Sequence, residues 1–122
     1  MRMGCAMVFV KDLGEMTAFY RDVIGFRPIE ETRRDDWVEF DAGGATFALH
    51  AIPHHLADAV PASPAAVARE SRSCKLIFTT DDPGKERGRL AVAGVTILSR
   101  AWGGWDAVDP EGNVFGVCSS KP

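Results

Sequence analysis

Cysteine is scarce in this chain: Cys5, Cys74 and Cys118 are odd in number, lie far apart and form no C-x-x-C pair. That pattern excludes a disulfide framework and fits small, reduced, buried thiols. Long apolar runs are missing as well. None approaches the ~20 residues that a membrane span requires, and the opening MRMGCAMVFVKD has neither the apolar stretch nor the cleavage site of a signal peptide. A cytoplasmic protein with no membrane partner is expected. Charge of one sign is not in excess either: 14 Lys and Arg stand against 17 Asp and Glu, for a net charge of −3, and the basic residues are scattered. A nucleic-acid footprint is therefore absent. No nucleophile elbow supports a Ser–His–Asp triad, and Trp102-Gly103-Gly104-Trp105 lacks the lysine and the strand-to-helix switch of a phosphate-cradling loop.

What is present is an ordinary globular composition, 46% hydrophobic and 25% charged over 122 residues. That length suits one domain able to bury a core without metal or disulfide staples. Within it the chain repeats itself. Met3 to Val10 reads as an apolar strand, Asp12 as a helix cap, and Met16, Phe19, Tyr20, Val23 and Ile24 as one helical stripe stopped by Gly25. The order returns with Cys74 to Thr80 as a strand, Asp81 or Asp82 as a cap, Pro83 in a first helical turn and Gly94 as the stop. Three strand-like stretches follow each glycine. They are Phe26 to Thr32, Trp37 to Asp41 and Thr46 to Ala51 in the first half, with Ala42-Gly43-Gly44 as a hairpin turn. In the second half they are Val95 to Ser99, Trp105 to Val108 and Val114 to Cys118, with Asp109-Pro110-Glu111-Gly112-Asn113 as turn chemistry. The fold class is α+β, a tandem βαβββ: module 1 over 3–51, a connector over 52–73, and module 2 over 74–119. The connector holds three prolines and six alanines and has room for one short helix over Pro64 to Arg69.

This duplication, with Val10-x-Asp12-Leu13, Phe19-Tyr20, Gly25-Phe26 and a closing Asp109-Pro110-x-Gly112-Asn113, resembles the vicinal oxygen chelate superfamily. That superfamily includes glyoxalase I, extradiol dioxygenases, fosfomycin-resistance enzymes and bleomycin-resistance proteins. The resemblance implies a U-shaped, largely antiparallel eight-stranded sheet with helices outside and the site on its concave side. In metal-using members a divalent ion is held by His, Glu or Gln at four places. The matching positions here are Cys5, Ala48, Cys74 or Lys75 (according to whether Asp81 or Asp82 is the cap), and Gly116. Ala48 and Gly116 have no donor atoms and a protonated lysine does not ligate, so no metal and no other cofactor is expected.

With those four positions facing inward, strand alternation brings Met7 and Phe9 beside Cys5, Thr46 and His50 beside Ala48, and Val114 and Cys118 beside Gly116. Val38 and Phe40 go with the packing face, which turns Trp37, Glu39 and Asp41 inward. The candidate ligand-binding residues are Phe9, Trp37, Glu39, Thr46, His50, Trp102 and Trp105, with small residues at Ala48 and Gly116 leaving space for a planar guest. Each tryptophan serves equally well as a core or interface side chain, and His54-His55 reads as surface. The resemblance is nearest to the metal-free bleomycin-resistance branch, which implies a homodimer that sequesters a small, antibiotic-like molecule and has no catalytic residues. The alternative is a glyoxalase-like lyase, isomerase or dioxygenase in which Cys5, Cys74, Cys118 and His50 hold zinc.

Overall fold

A computed structural model describes residues 1–59, 62–64 and 67–121. The chain divides into two units, Met1–Pro61 and Ala62–Pro122, with the boundary inside the segment read as a connector. In the first unit the strands are β1 (Ala6–Val10), β2 (Arg27–Pro28), β3 (Trp37–Asp41) and β4 (Thr46–Ala51), in the sheet order β1-β4-β3-β2. In the second they are β5 (Leu76–Thr80), β6 (Ile97–Ser99), β7 (Trp105–Val108) and β8 (Val114–Ser119), in the order β5-β8-β7-β6. Each sheet has one parallel pair, β1 with β4 and β5 with β8, and is otherwise antiparallel. The eight strands of the duplicated α+β module are thus hydrogen-bonded as two four-stranded sheets.

Asp12 accepts the Glu15 amide at 2.9 Å and starts helix α1 (Leu13–Ala18), which continues as a π-helical stretch over Phe19–Ile24. Gly25, at φ 95°, ends it, and the amides of Gly25 and Phe26 both close on the Tyr20 carbonyl. The apolar stripe then meets the sheet. Tyr20 is 1% exposed, and its ring lies 4.8 Å from Phe47 and 6.5 Å from Phe40. With Val10, Met16, Val38 and Leu49 these rings form the first core; each full burial of this kind is worth roughly 2 kcal/mol.

In the second unit Asp82, not Asp81, is the cap, accepting the Lys85 amide at 3.0 Å ahead of α2 (Pro83–Val92). Leu90 is the buried residue of this largely polar helix, and Phe115, Ala107 and Trp105 complete the core. Gly43 and Gly44 carry φ values of 76° and 105° in the β3–β4 turn, which demands two left-handed residues in succession.

Two expectations need correction. The strand expected over Phe26 to Thr32 shrinks to Arg27–Pro28, because Pro28 offers no amide to the ladder and Glu30–Thr32 winds into a 3-10 turn. The short helix expected over Pro64 to Arg69 is not seen at its described residues: Arg69 bridges Asn113 instead, while Ala65 and Ala66 lie outside the described residues. The connector's helix is a 3-10 stretch at His54–Ala59. Among the described residues, no helix is long and apolar enough to cross a membrane.

Candidate functional site

Opposite the helix-covered core, the first sheet presents a second face, and strand register arranges it in rows. Phe9, His50 and Trp37 are aligned across β1, β4 and β3; Met7, Ala48 and Glu39 form the next row, and Thr46 faces Asp41 beyond it. Burial alternates accordingly. Val38, Phe40, Phe47 and Leu49 are buried, whereas Phe9 is 46% exposed and Trp37, Glu39, Thr46 and His50 are half-buried. The Phe9 and His50 rings stack at 5.5 Å, and Trp37 meets His50 edge-on at 5.7 Å. His50 Nε2 lies 3.2 Å from Asp36 Oδ2; a carboxylate only accepts, so Nε2 carries the proton. The Trp37 indole donates weakly to Glu39 at 3.5 Å, and the Arg34 guanidinium sits 5.4 Å from the Trp37 ring.

Cys5 borders this face. Burial and, after it, the nearby negative charge of Glu39 push its thiol above the ordinary range, while Cys74 and Cys118 are exposed. Because the thiolate is the nucleophile, Cys5 should alkylate at least about threefold more slowly than either of the others near pH 8. Mass spectrometry of iodoacetamide-treated protein checks this, and preferential labelling of Cys5 would refute it.

The second unit repeats the geometry with different chemistry. Since Asp12 and Asp82 both cap, the residue seven places earlier is Cys5 in one unit and Lys75 in the other. Likewise Ala48 pairs with Glu39, and its counterpart Gly116 pairs with Asp106. Lys75 Nζ reaches across Gly116 to lie 2.8 Å from each carboxylate oxygen of Asp106, itself only 2% exposed. Arg100 Nε donates to the same carboxylate at 2.6 Å, and its outer nitrogens hold Glu70 at 3.0 and 3.1 Å. A Cβ at Gly116 would stand 3.2 Å from Asp106 Oδ1 and 3.4 Å from Lys75 Cε. The glycine is the floor over which this ion pair is laid.

The space expected at the two small residues is thus not open: Ala48 is 0% exposed between Met7 and Glu39, and Gly116 is buried where the Lys75–Asp106 pair crosses it. Trp105 is 7% exposed and shares strand parity with Ala107, which places it with the packing residues of the second unit. Trp102 is 72% exposed, in the turn before β7, with its ring folded onto the Gly104 backbone. The structure therefore brings Phe9, Trp37, Glu39, Thr46 and His50 onto one face of the first unit, whereas within the second unit Trp102 stands in a turn and Trp105 on the packing side of its strand. Sequence reasoning missed Asp36, Arg34, Asp106, Arg100 and Glu70. A lone Asp inside the apolar strand WDAV was the one available signal.

The family model for the glyoxalase/bleomycin resistance protein/dioxygenase superfamily matches residues 2–117. The chain belongs to this superfamily. Solved structures agree on the fold. A glyoxalase/bleomycin resistance protein/dioxygenase family enzyme from Burkholderia phytofirmans PsJN is 25% identical with a TM-score of 0.68, covering 93% of this chain and 94% of that one. TnmS3, an antibiotic binding protein from Streptomyces sp. CB03234, is 21% identical at 0.66, covering 98% and 95%. A lactoylglutathione lyase from Agrobacterium tumefaciens is 19% identical at 0.66, covering 98% and 94%. No curated protein matches the chain.

Metal-using members of the superfamily need donors at Cys5, Ala48, Lys75 and Gly116, and this donor set does not fit a divalent ion. Two positions have no donor atom, and the third is an ammonium already held by a carboxylate. The thiolate alternative fails on register: with Lys75 on the face of Gly116, Cys74 has the opposite parity and is exposed. Among the described residues, neither unit gathers three His, Cys, Asp or Glu side chains at ligating distance.

Proposed function

We propose that this superfamily member is a small-molecule binding protein that works without a metal ion, taking a planar compound on the open face of its first sheet. The observation that carries the reading is the row Phe9, His50 and Trp37, two partly exposed aromatic rings flanking an imidazole that Asp36 orients. Flat apolar surface with a few fixed polar groups is what recognises a planar guest, and Glu39 supplies an acceptor beside the rings. The likeness to an antibiotic binding protein supports the same reading at the level of fold. The homodimer implied by the family resemblance and the cytoplasmic location expected from the sequence belong to the proposal; light scattering of the purified protein checks the first.

The test is a panel of planar aromatic compounds, cationic and neutral, read by tryptophan fluorescence and thermal shift after dialysis against a chelator. At least one compound should quench and stabilise the protein, and Trp37→Leu should weaken it by about tenfold, the equivalent of one well-packed contact. A stoichiometric metal surviving dialysis, or binding that the chelator abolishes, would replace this reading with the metalloenzyme one. Silence across the panel would leave the face as mere surface.

A further inference from the structure

A second site, lying wholly within the second unit, is marked by charge. A cavity of about 110 Å³, room for three or four waters at ~30 Å³ each, is lined by Arg69, Arg72, Lys75 and Arg100, with Glu70 as its single acidic wall and Cys74 and Val114 completing it. Three of the cations are held in place by other groups. Arg69 donates from Nε to the Glu111 carbonyl at 3.2 Å and from Nη2 to Asn113 Oδ1 at 2.6 Å. Arg100 is fixed between Asp106 and Glu70, and Lys75 is anchored on Asp106. Arg72 has no acidic side-chain partner among the described residues.

We propose that this cavity is an oxyanion-binding site, taking a phosphate or carboxylate group of a small molecule. Three anchored positive charges and the exposed Arg72 guanidinium line a volume suited to one such group, and the anchoring bonds leave Arg69 Nη1 and at least one Lys75 N–H to donate beside Arg72. Guanidinium groups in this arrangement match the planar, multidentate acceptor pattern of carboxylate and phosphate. The like charges already act on one another: burial first, and then the charge of Arg72, holds the Arg69 guanidinium below its ordinary value, against the opposing pull of Asp109 and Glu111. An anion relieves that repulsion. Lys75 thus belongs both to this cavity and to the ligand-equivalent position of the family resemblance.

Calorimetric titration with inorganic phosphate, at ionic strength held constant with chloride, tests the site directly. Saturable one-site binding is expected, with amide shift changes centred on residues 69–75 and 100 in nuclear magnetic resonance spectra. Arg72→Ala should weaken binding about tenfold, and Arg72→Lys should recover part of it, as befits a charge-assisted contact. Among the described residues no hydrogen bond or ion pair holds the Arg72 side chain, so thermal melting of both variants should match the parent. Phenyl phosphate and benzoate distinguish the sources: tighter binding of the first assigns the site to a phosphate, and of the second to a carboxylate. Failure of all three anions to saturate, shift changes centred elsewhere, or an affinity untouched by Arg72→Ala would overturn the proposal. None of these outcomes bears on the aromatic face of the first unit, which is read with uncharged and cationic compounds.

Discussion

Replacing Asp109 by alanine should lower the free energy of unfolding by about 3 kcal/mol, the largest single effect expected among the polar residues. The side chain is fully buried and works as a hub. Oδ1 accepts the amides of Glu111 at 3.0 Å and Asn113 at 2.9 Å, and Oδ2 accepts the Asn113 side-chain amide at 2.7 Å. The backbone closes the same turn, with the Gly112 amide on the Asp109 carbonyl and the Asp109 amide on the Asn113 carbonyl. A buried donor stripped of its acceptor loses about 1–3 kcal/mol, and Asn113 is open enough for water to recover part of its share, so the three losses do not simply add. Asn113 also holds Arg69, so the effect should extend to the cationic cavity. Urea denaturation measures the loss, and Asp109→Asn, which keeps one acceptor oxygen, should recover about half. A loss below about 1 kcal/mol for the alanine variant would show that the turn is held by its backbone bonds alone.

The position of this turn was legible because Asp-Pro-x-Gly-Asn permits little else, and the duplicated order of strands, caps and stops was legible for the same local reasons. β3, β4 and β7 have the limits that the alternation predicts, since each is bounded by turn residues and has one face buried. β2 was overread because a proline's lost amide matters only once the neighbouring strand's demand for it is known. The choice between Cys74 and Lys75 stayed open in the sequence, where Asp81 and Asp82 are equally good caps; the helix decided it by taking Asp82. The aromatic face was readable by parity from Val38 and Phe40. By contrast, the pairing of Lys75 with Asp106 spans two strands and thirty-one positions, and nothing local foretells it. Trp105 shows the same limit: the bounds of its strand were readable, but which face packs on the core was settled only by the pairing of Ala107 with Phe115 and of Asp106 with Gly116.

That long-range pair sets the second large expectation: Gly116→Val should destabilise the protein by about 2–3 kcal/mol, in the range typical of overpacking, and Asp106→Asn by about 2 kcal/mol. For valine the reason is steric. Its Cβ already falls at 3.2 Å from Asp106 Oδ1 and 3.4 Å from Lys75 Cε, and the two added methyl groups must enter the volume that the ion pair fills. Asp106 is held by both Lys75 and Arg100 and has little freedom to retreat. Alanine adds only the Cβ, and its stiffer unfolded chain offsets the close contact, so Gly116→Ala should stay within about 1 kcal/mol of the parent. For Asp106→Asn the reason is electrostatic. Breaking a fully buried pair costs about 3–5 kcal/mol, but Lys75 is 41% exposed and turns to water, and Arg100 keeps Glu70, so the loss is discounted. At about 4 °C per kcal/mol for a chain of this size, Gly116→Val should melt about 8–12 °C below the parent. Combining Gly116→Val with Asp106→Asn should cost clearly less than the sum of the two, because both act on one contact. Strict additivity would mean that the glycine is small for a reason unconnected with the ion pair beside it.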